Sequence, residues 1–269
     1  MTTELTLPTD KIRARIDNSA GHLVFNNPDR YNAVSLEMWD AVESALSTFA
    51  TDDTVRVAIL SGAGGKAFVS GADISKFAKE RGSKEATDHY NARLKVVYEL
   101  IENFPKPTIA MINGHCIGGG LNLAACTDFR IASTKSKFAM PAAKLALGYP
   151  FDAIRRLVNA VGVAPAKQLM FTAKSIDAET ALRLGLVQEV VDEDTLEARV
   201  TELAENIAGN APLTIRAMKF IATQVMHRDP SARDFARCDE MVAACFASED
   251  YVEGRTAFME KRKPDFKGR

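Results

Sequence analysis

Residues 107–133 read PTIAMINGHCIGGGLNLAACTDFRIAS. PTIAMING (107–114) is a short apolar run, the pattern of a strand covered on both faces. HCIGGG follows as a glycine-rich loop, LNLAACTD as a helix of small residues, and DFRIAS (128–133) as the next strand. The same order stands upstream: VRVAILSG (55–62) is a β-branched strand, GAGGKAFVSGADI a glycine-rich loop, and residues 85–103 a helical pattern stopped by Pro105 and Pro107. Two strand–loop–helix units in series imply right-handed crossovers and roughly parallel strands. The fold class is therefore α/β.

Further out, Ile12–Asp17 and residues 22–25 alternate like a hairpin turning at 18–21, and Ser35 is placed to cap a helix running to about Ala50. Beyond 150 the pattern becomes helical. Asp177 can cap a short helix closed by Gly185, LVQEVVD reads as a strand, and residues 195–208 and 212–227 read as amphipathic helices. The run SEDYVEGRTAFMEKRKPDF reads as one more. This divides the chain into an α/β core over 1–195 and a helical region over 196–269.

A net charge of −1 over 269 residues argues against a broad basic face for nucleic acid, and no apolar run is long enough for a membrane span. The polar opening MTTELTLPTDKIRARID is not a secretory signal pattern. Cys116, Cys126, Cys238 and Cys245 form no CxxC pair, so no metal site is expected, and they read as reduced thiols of a cytoplasmic protein.

The two glycine loops carry the chemistry. Each follows a strand and opens toward a helix, where free backbone N–H groups favour an oxygen gaining negative charge. Gly71-Ala72-Asp73 presents the amide of Ala72, and Gly118-Gly119-Gly120 admits another backbone without a Cβ in the way. Tight packing of helix on strand is the alternative use of three glycines. A phosphate cradle is disfavoured because GxxxxGK[ST] and GxGxxG are both absent.

FVSGADI, the 107–133 block, SIDAETALRLGLVQEVV and AFMEKRKPDF occur in order and at spacings that resemble the crotonase (enoyl-CoA hydratase/isomerase) superfamily from about residue 12 to 266. The resemblance implies a spiral of ββα units whose C-terminal helices trimerise, often into a hexamer. It implies an acyl-CoA thioester as partner, no separate cofactor, and an enolate-like anion held by the amides of Ala72 and Gly119. Coenzyme A would lie along NPDRYNA and GGKAFVSGADI, with Arg30 and Lys66 near its phosphates or adenine, and Gly71, Asp73, Ile74 and Gly118 beside the substrate. Plain solvated charge is the alternative for Arg30 and Lys66. Phe258 and Lys261 match family positions that touch the coenzyme of an adjacent subunit.

The departures concern acid–base chemistry. A hydratase of this family carries glutamates where this chain has Asn122 and Ala142. Asn122 can orient water or a carboxylate but cannot take up a proton, and Ala142 can do neither. FAMPAAKLALGYPFDAIRRL (138–157) and the C-terminal segment resemble the family's methylmalonyl-CoA decarboxylases, which use a tyrosine at the position of Tyr149. Those enzymes carry histidine at the position of Ala72. Tyr149 is thus a candidate donor or a core aromatic. Asp152 is an acid/base candidate or, preferentially, a helix N-cap. His115 and Lys144 read as a packed loop residue and a surface charge. Four functions remain open: decarboxylation of a malonyl-type thioester, hydration of an enoyl thioester through a relayed water, isomerisation of an enoyl thioester, and acyl-CoA binding without catalysis.

Overall fold

A computed structural model of the chain describes residues 2–227 and 229–269. Strand β1 (Thr2–Glu4) pairs antiparallel with β2 (Ile12–Asp17), which turns into β3 (Ala20–Phe25) as expected. Asn18 makes that turn with φ 52°, a left-handed conformation its short polar side chain tolerates. Helix α1 (Leu36–Thr51) buries Met38, Trp39, Val42, Leu46 and Phe49. Ser35 occupies its N-cap position, but its side chain makes no capping bond.

Next come β4 (Val57–Gly62), β5 (Ala67–Val69), the single turn α2 (Phe77–Glu80) and the long α3 (Lys84–Glu102). The 107–133 block forms β6 (Thr108–Ile112), β7 (His115–Ile117), α4 (Gly119–Ala125) and β8 (Phe129–Ser133), followed by β9 (Lys137–Ala139). HCI, read from sequence as part of a glycine loop, is thus a strand. It is only three residues long, too short to show a period of two.

The strands fall into two sheets. One has the order β1-β2-β3-β4-β6-β8 and runs parallel from β3 onward; the other stacks β5, β7 and β9 in parallel. The pairs β4/β5, β6/β7 and β8/β9 each send one strand to the first sheet and the next to the second. This is the ββα spiral expected from the resemblance.

Helices α5 (Phe151–Val161) and α6 (Val163–Thr172) lead to β10 (Ile176–Asp177), which joins β9, and to α7 (Ala178–Arg183). Asp177 caps α7 through the Thr180 N–H (2.9 Å). Strand β11 (Glu189–Val191) closes the first sheet beside β8. Helices α8 (Leu196–Ala208), α9 (Pro212–Val225), α10 (Phe235–Ala247) and α11 (Glu249–Glu260) complete the chain. No sequence expectation covered α10. None of its residues is buried, and its apolar side chains Phe235, Val242 and Phe246 face outward.

The apolar run at the start of β4, residues 57–60, is explained by its two neighbours. Val57 and Ile59 meet Leu196, Val200 and Ala204 of α8, while Ala58 and Leu60 join the main core under α1 and α3. Among the described residues no helix is long and apolar enough to cross a membrane, and all four cysteines are free.

Candidate active site

The end of β5 and the start of α4 meet because Gly120 lacks a side chain. A Cβ there would stand 2.0 Å from the Val69 carbonyl oxygen, so only glycine lets α4 press against β5. Beyond Val69 the chain passes through Gly71 at φ +112°, and Ala72 bridges to Val34. In that bridge the Val34 N–H donates to Gly71 O (2.9 Å) and the Asp73 N–H donates to Val34 O (3.0 Å). Alternation along an extended segment turns the Ala72 N–H away from Val34, toward α4.

Gly118 donates to Ala139 O (2.8 Å). Gly119, as the first residue of α4, has no carbonyl one turn behind it. Among the described residues neither the Ala72 N–H nor the Gly119 N–H donates to a backbone carbonyl. The two groups are neighbours: a Cβ on Gly119 would lie 3.8 Å from Ala72 N. Tyr98 Oη donates to Gly119 O (3.2 Å) and holds the helix start in place.

Ala72 and Gly119 both line a cavity of about 660 Å³. Asn122, Ala142, Tyr149 and Asp152 line it together with Gly71, Ile74 and Gly118, so the structure gathers most of the candidates into one wall. Asn122 is 4% exposed and its Oδ1 has no partner. Tyr149 packs on the core, and its Oη would lie 3.8 Å from a Cβ on Gly118. Burial pushes its phenol up to about 12; the nearby Arg81 charge works the other way and Tyr90 adds to the rise.

Asp152 is not the N-cap expected of it. Pro150 holds that position, and the Asp152 carboxylate accepts from Arg155 (3.3 Å). Pro150 shifts the start of α5 toward the N-terminus because its fixed φ suits a helix entry.

Several cavity residues escaped sequence reading: Trp39 from α1, Arg81 after α2, Tyr90 and Tyr98 from α3, and Arg156 from α5. Arg156 is neutralised by Glu102 (2.8 Å), which also holds Arg155 (2.8 Å). Tyr98 lies edge-on to Trp39 at 5.4 Å, and burial raises its phenol well above the ordinary value. These residues sit in four distant segments, and no local pattern joins them.

Other candidates lie apart. Arg30 and Lys66 are exposed on two adjoining loops, with Pro28 packed where a Gly64 Cβ would fall. Asp73 turns its carboxylate onto the Ser75 N–H (3.1 Å) and hydroxyl (2.6 Å) rather than into the cavity. Phe258 is 81% exposed, Lys261 ends α11, and neither lines this chain's cavity. His115 is exposed and lies edge-on to Tyr31 at 5.9 Å, and Lys144 is exposed. Among the described residues no three His, Cys, Asp or Glu come together as metal ligands.

The family model for enoyl-CoA hydratase/isomerase matches residues 15–269. The chain belongs to the enoyl-CoA hydratase/isomerase family. A crotonyl-CoA hydratase from Syntrophomonas wolfei is 38% identical over 91% of this chain and 93% of its own length. The methylmalonyl-CoA decarboxylase of Escherichia coli is 32% identical over 93% and 95%. Among solved structures, an enoyl-CoA hydratase/carnithine racemase from Magnetospirillum magneticum superposes with a TM-score of 0.92 at 33% identity, covering 98% of this chain and 97% of that one. This family member is an enzyme of CoA thioesters, and its two sheets match the crotonase fold.

Proposed function

We propose that the chain decarboxylates a malonyl-type acyl-CoA, holding the thioester oxygen on the amides of Ala72 and Gly119. The single observation behind this is a cavity that keeps two unengaged amides side by side while offering no free carboxylate base. Asp152 is the only acidic residue among the described lining, and Arg155 occupies it. Abstracting an α-proton, or activating water, needs such a base. Decarboxylation does not: the bond from the α-carbon to the carboxylate breaks, its electron pair enters the enolate, and CO₂ leaves. Each amide is worth about 3–4 kcal/mol to the developing oxyanion.

Asn122 would orient the departing carboxylate. Tyr149, whose phenol stays protonated at neutral pH, then gives a proton to the α-carbon and recovers one from solvent. Arg30 and Lys66 would steady the coenzyme at the rim. The outward apolar side chains Val242, Phe246, Val252, Phe258 and Met259 give α10 and α11 a face suited to a homotrimer or hexamer, in which Phe258 and Lys261 would reach a neighbour's coenzyme. A cytoplasmic setting with reduced thiols fits this chemistry.

Incubation with methylmalonyl-CoA and with crotonyl-CoA tests the assignment. Release of CO₂ with little hydration of crotonyl-CoA supports it. Hydration without CO₂ release would make the chain a hydratase working through relayed water. Tight binding of both with turnover of neither would make it a non-catalytic acyl-CoA binder.

A further inference from the structure

Trp39 Nε1, Arg81 Nε, Tyr90 Oη and Asn122 Oδ1 are buried, line the same cavity and meet no partner at full hydrogen-bond geometry; Trp39 and Arg81 approach only the Tyr90 hydroxyl. Folded interiors leave few such atoms unpaired, so four in one wall mark the seat of a ligand's polar group. Trp39, Tyr90 and Asn122 are at most 4% exposed, so bulk water does not explain their lack of partners. Asn122 belongs to the reacting end described above. The other three form a separate set of N–H and O–H donors.

Arg81 gives that set its charge. Its guanidinium carbon stands 4.0 Å from the centre of the Tyr90 ring and 4.5 Å from that of Phe77. Stacking of this kind engages the faces of the guanidinium and leaves its edge of N–H donors free, the edge that fits a carboxylate in two-point contact. Among the described residues no carboxylate pairs with it. Glu80, next in the chain, accepts from the Leu36 N–H instead (3.3 Å). The neighbouring Arg156 differs in having Glu102, and Lys95 at the rim has Glu99 (3.8 Å). One uncompensated cation therefore faces a largely apolar acyl pocket.

We infer that this pocket recognises a carboxylate carried by the acyl group, bound by Arg81 with Tyr90 and Trp39. The inference rests on the CoA-thioester function and narrows its substrates to acyl groups bearing a second acid. That acid sits either on the α-carbon or at the far end of the chain, and the recognition chemistry is the same for both. An ion pair of this kind strengthens binding and is lost if the carboxylate departs as CO₂. Arg81 is accordingly a specificity residue, read in Kd and KM rather than kcat.

Trp39 is the only tryptophan in the chain, so its fluorescence reports occupation of the pocket. Rapid mixing with methylmalonyl-CoA against isobutyryl-CoA, and glutaryl-CoA against valeryl-CoA, separates the two positions of the acid. At least one acid ester is expected to bind about 10-fold or more tightly than its neutral counterpart. Arg81→Gln is expected to abolish that preference by weakening the acid ester alone, and Arg81→Lys to retain part of it. Equal or tighter binding of both neutral esters, or a preference surviving Arg81→Gln, would overturn the inference while leaving the thioester function standing. Failure of all four esters to bind would overturn both.

Discussion

Tyr149 Oη stands beside the glycine turn with its phenol pushed up to about 12, which suits a proton donor to carbon and not a general base. Tyr149→Phe should slow CO₂ release by about 100-fold with little change in KM, as followed by coupled assay. Because the ordinary phenol ionises near 10 and this one near 12, the donor stays loaded through neutral and mildly alkaline pH. The pH profile of kcat should therefore show no downward limb from this group below about pH 10. At this scale the sequence was informative where chemistry depends on the backbone. Gly71, Ala72 and Gly119 were legible because amides presented without obstruction require glycines at fixed places. Asn122 and Ala142 were legible as departures from a known pattern. Arg81, Tyr90 and Trp39 were not, since their meeting is made by three segments that only the folded chain brings together.

Among the elements, the contact of α4 with β5 is the one on which the site depends. Gly120→Ala drives a methyl group into the Val69 carbonyl and should cost about 3 kcal/mol, seen as a lowered urea midpoint. Gly148→Ala, where a Cβ meets nothing within 4 Å, should shift stability by less than about 0.5 kcal/mol. Glu102 joins α3 to α5 by holding Arg155 and the buried Arg156. Glu102→Gln leaves that second cation without its charge partner and should cost about 3 kcal/mol in the same measurement. Strands β4 and β6 were legible because both faces are covered, which makes each run mostly apolar. Strand β7 was hidden by its length.

For the whole molecule, the ββα spiral was implied by the family resemblance that the motifs carry, whereas the state of assembly depends on a surface that one chain leaves open. Light scattering should give a mass that is a multiple of three chains of 29.3 kDa, and Phe246→Asp should dissociate it. Tyr98 and Tyr149 both ionise at higher pH when folded than when unfolded. Their contribution to stability is complete below about pH 10 and is lost as pH rises beyond it, by up to about 1.4 kcal/mol per pH unit for each phenol. Thermal unfolding between pH 8 and 11 should show the melting temperature falling only in the upper part of that range. The most direct measurement is a crystal structure with glutaryl-CoA bound, a thioester without an α-carboxylate to lose. The expected result is a thioester oxygen about 3 Å from the amide nitrogens of both Ala72 and Gly119. An oxygen bound elsewhere, with those two amides facing water or another group, would contradict enolate stabilisation at this site.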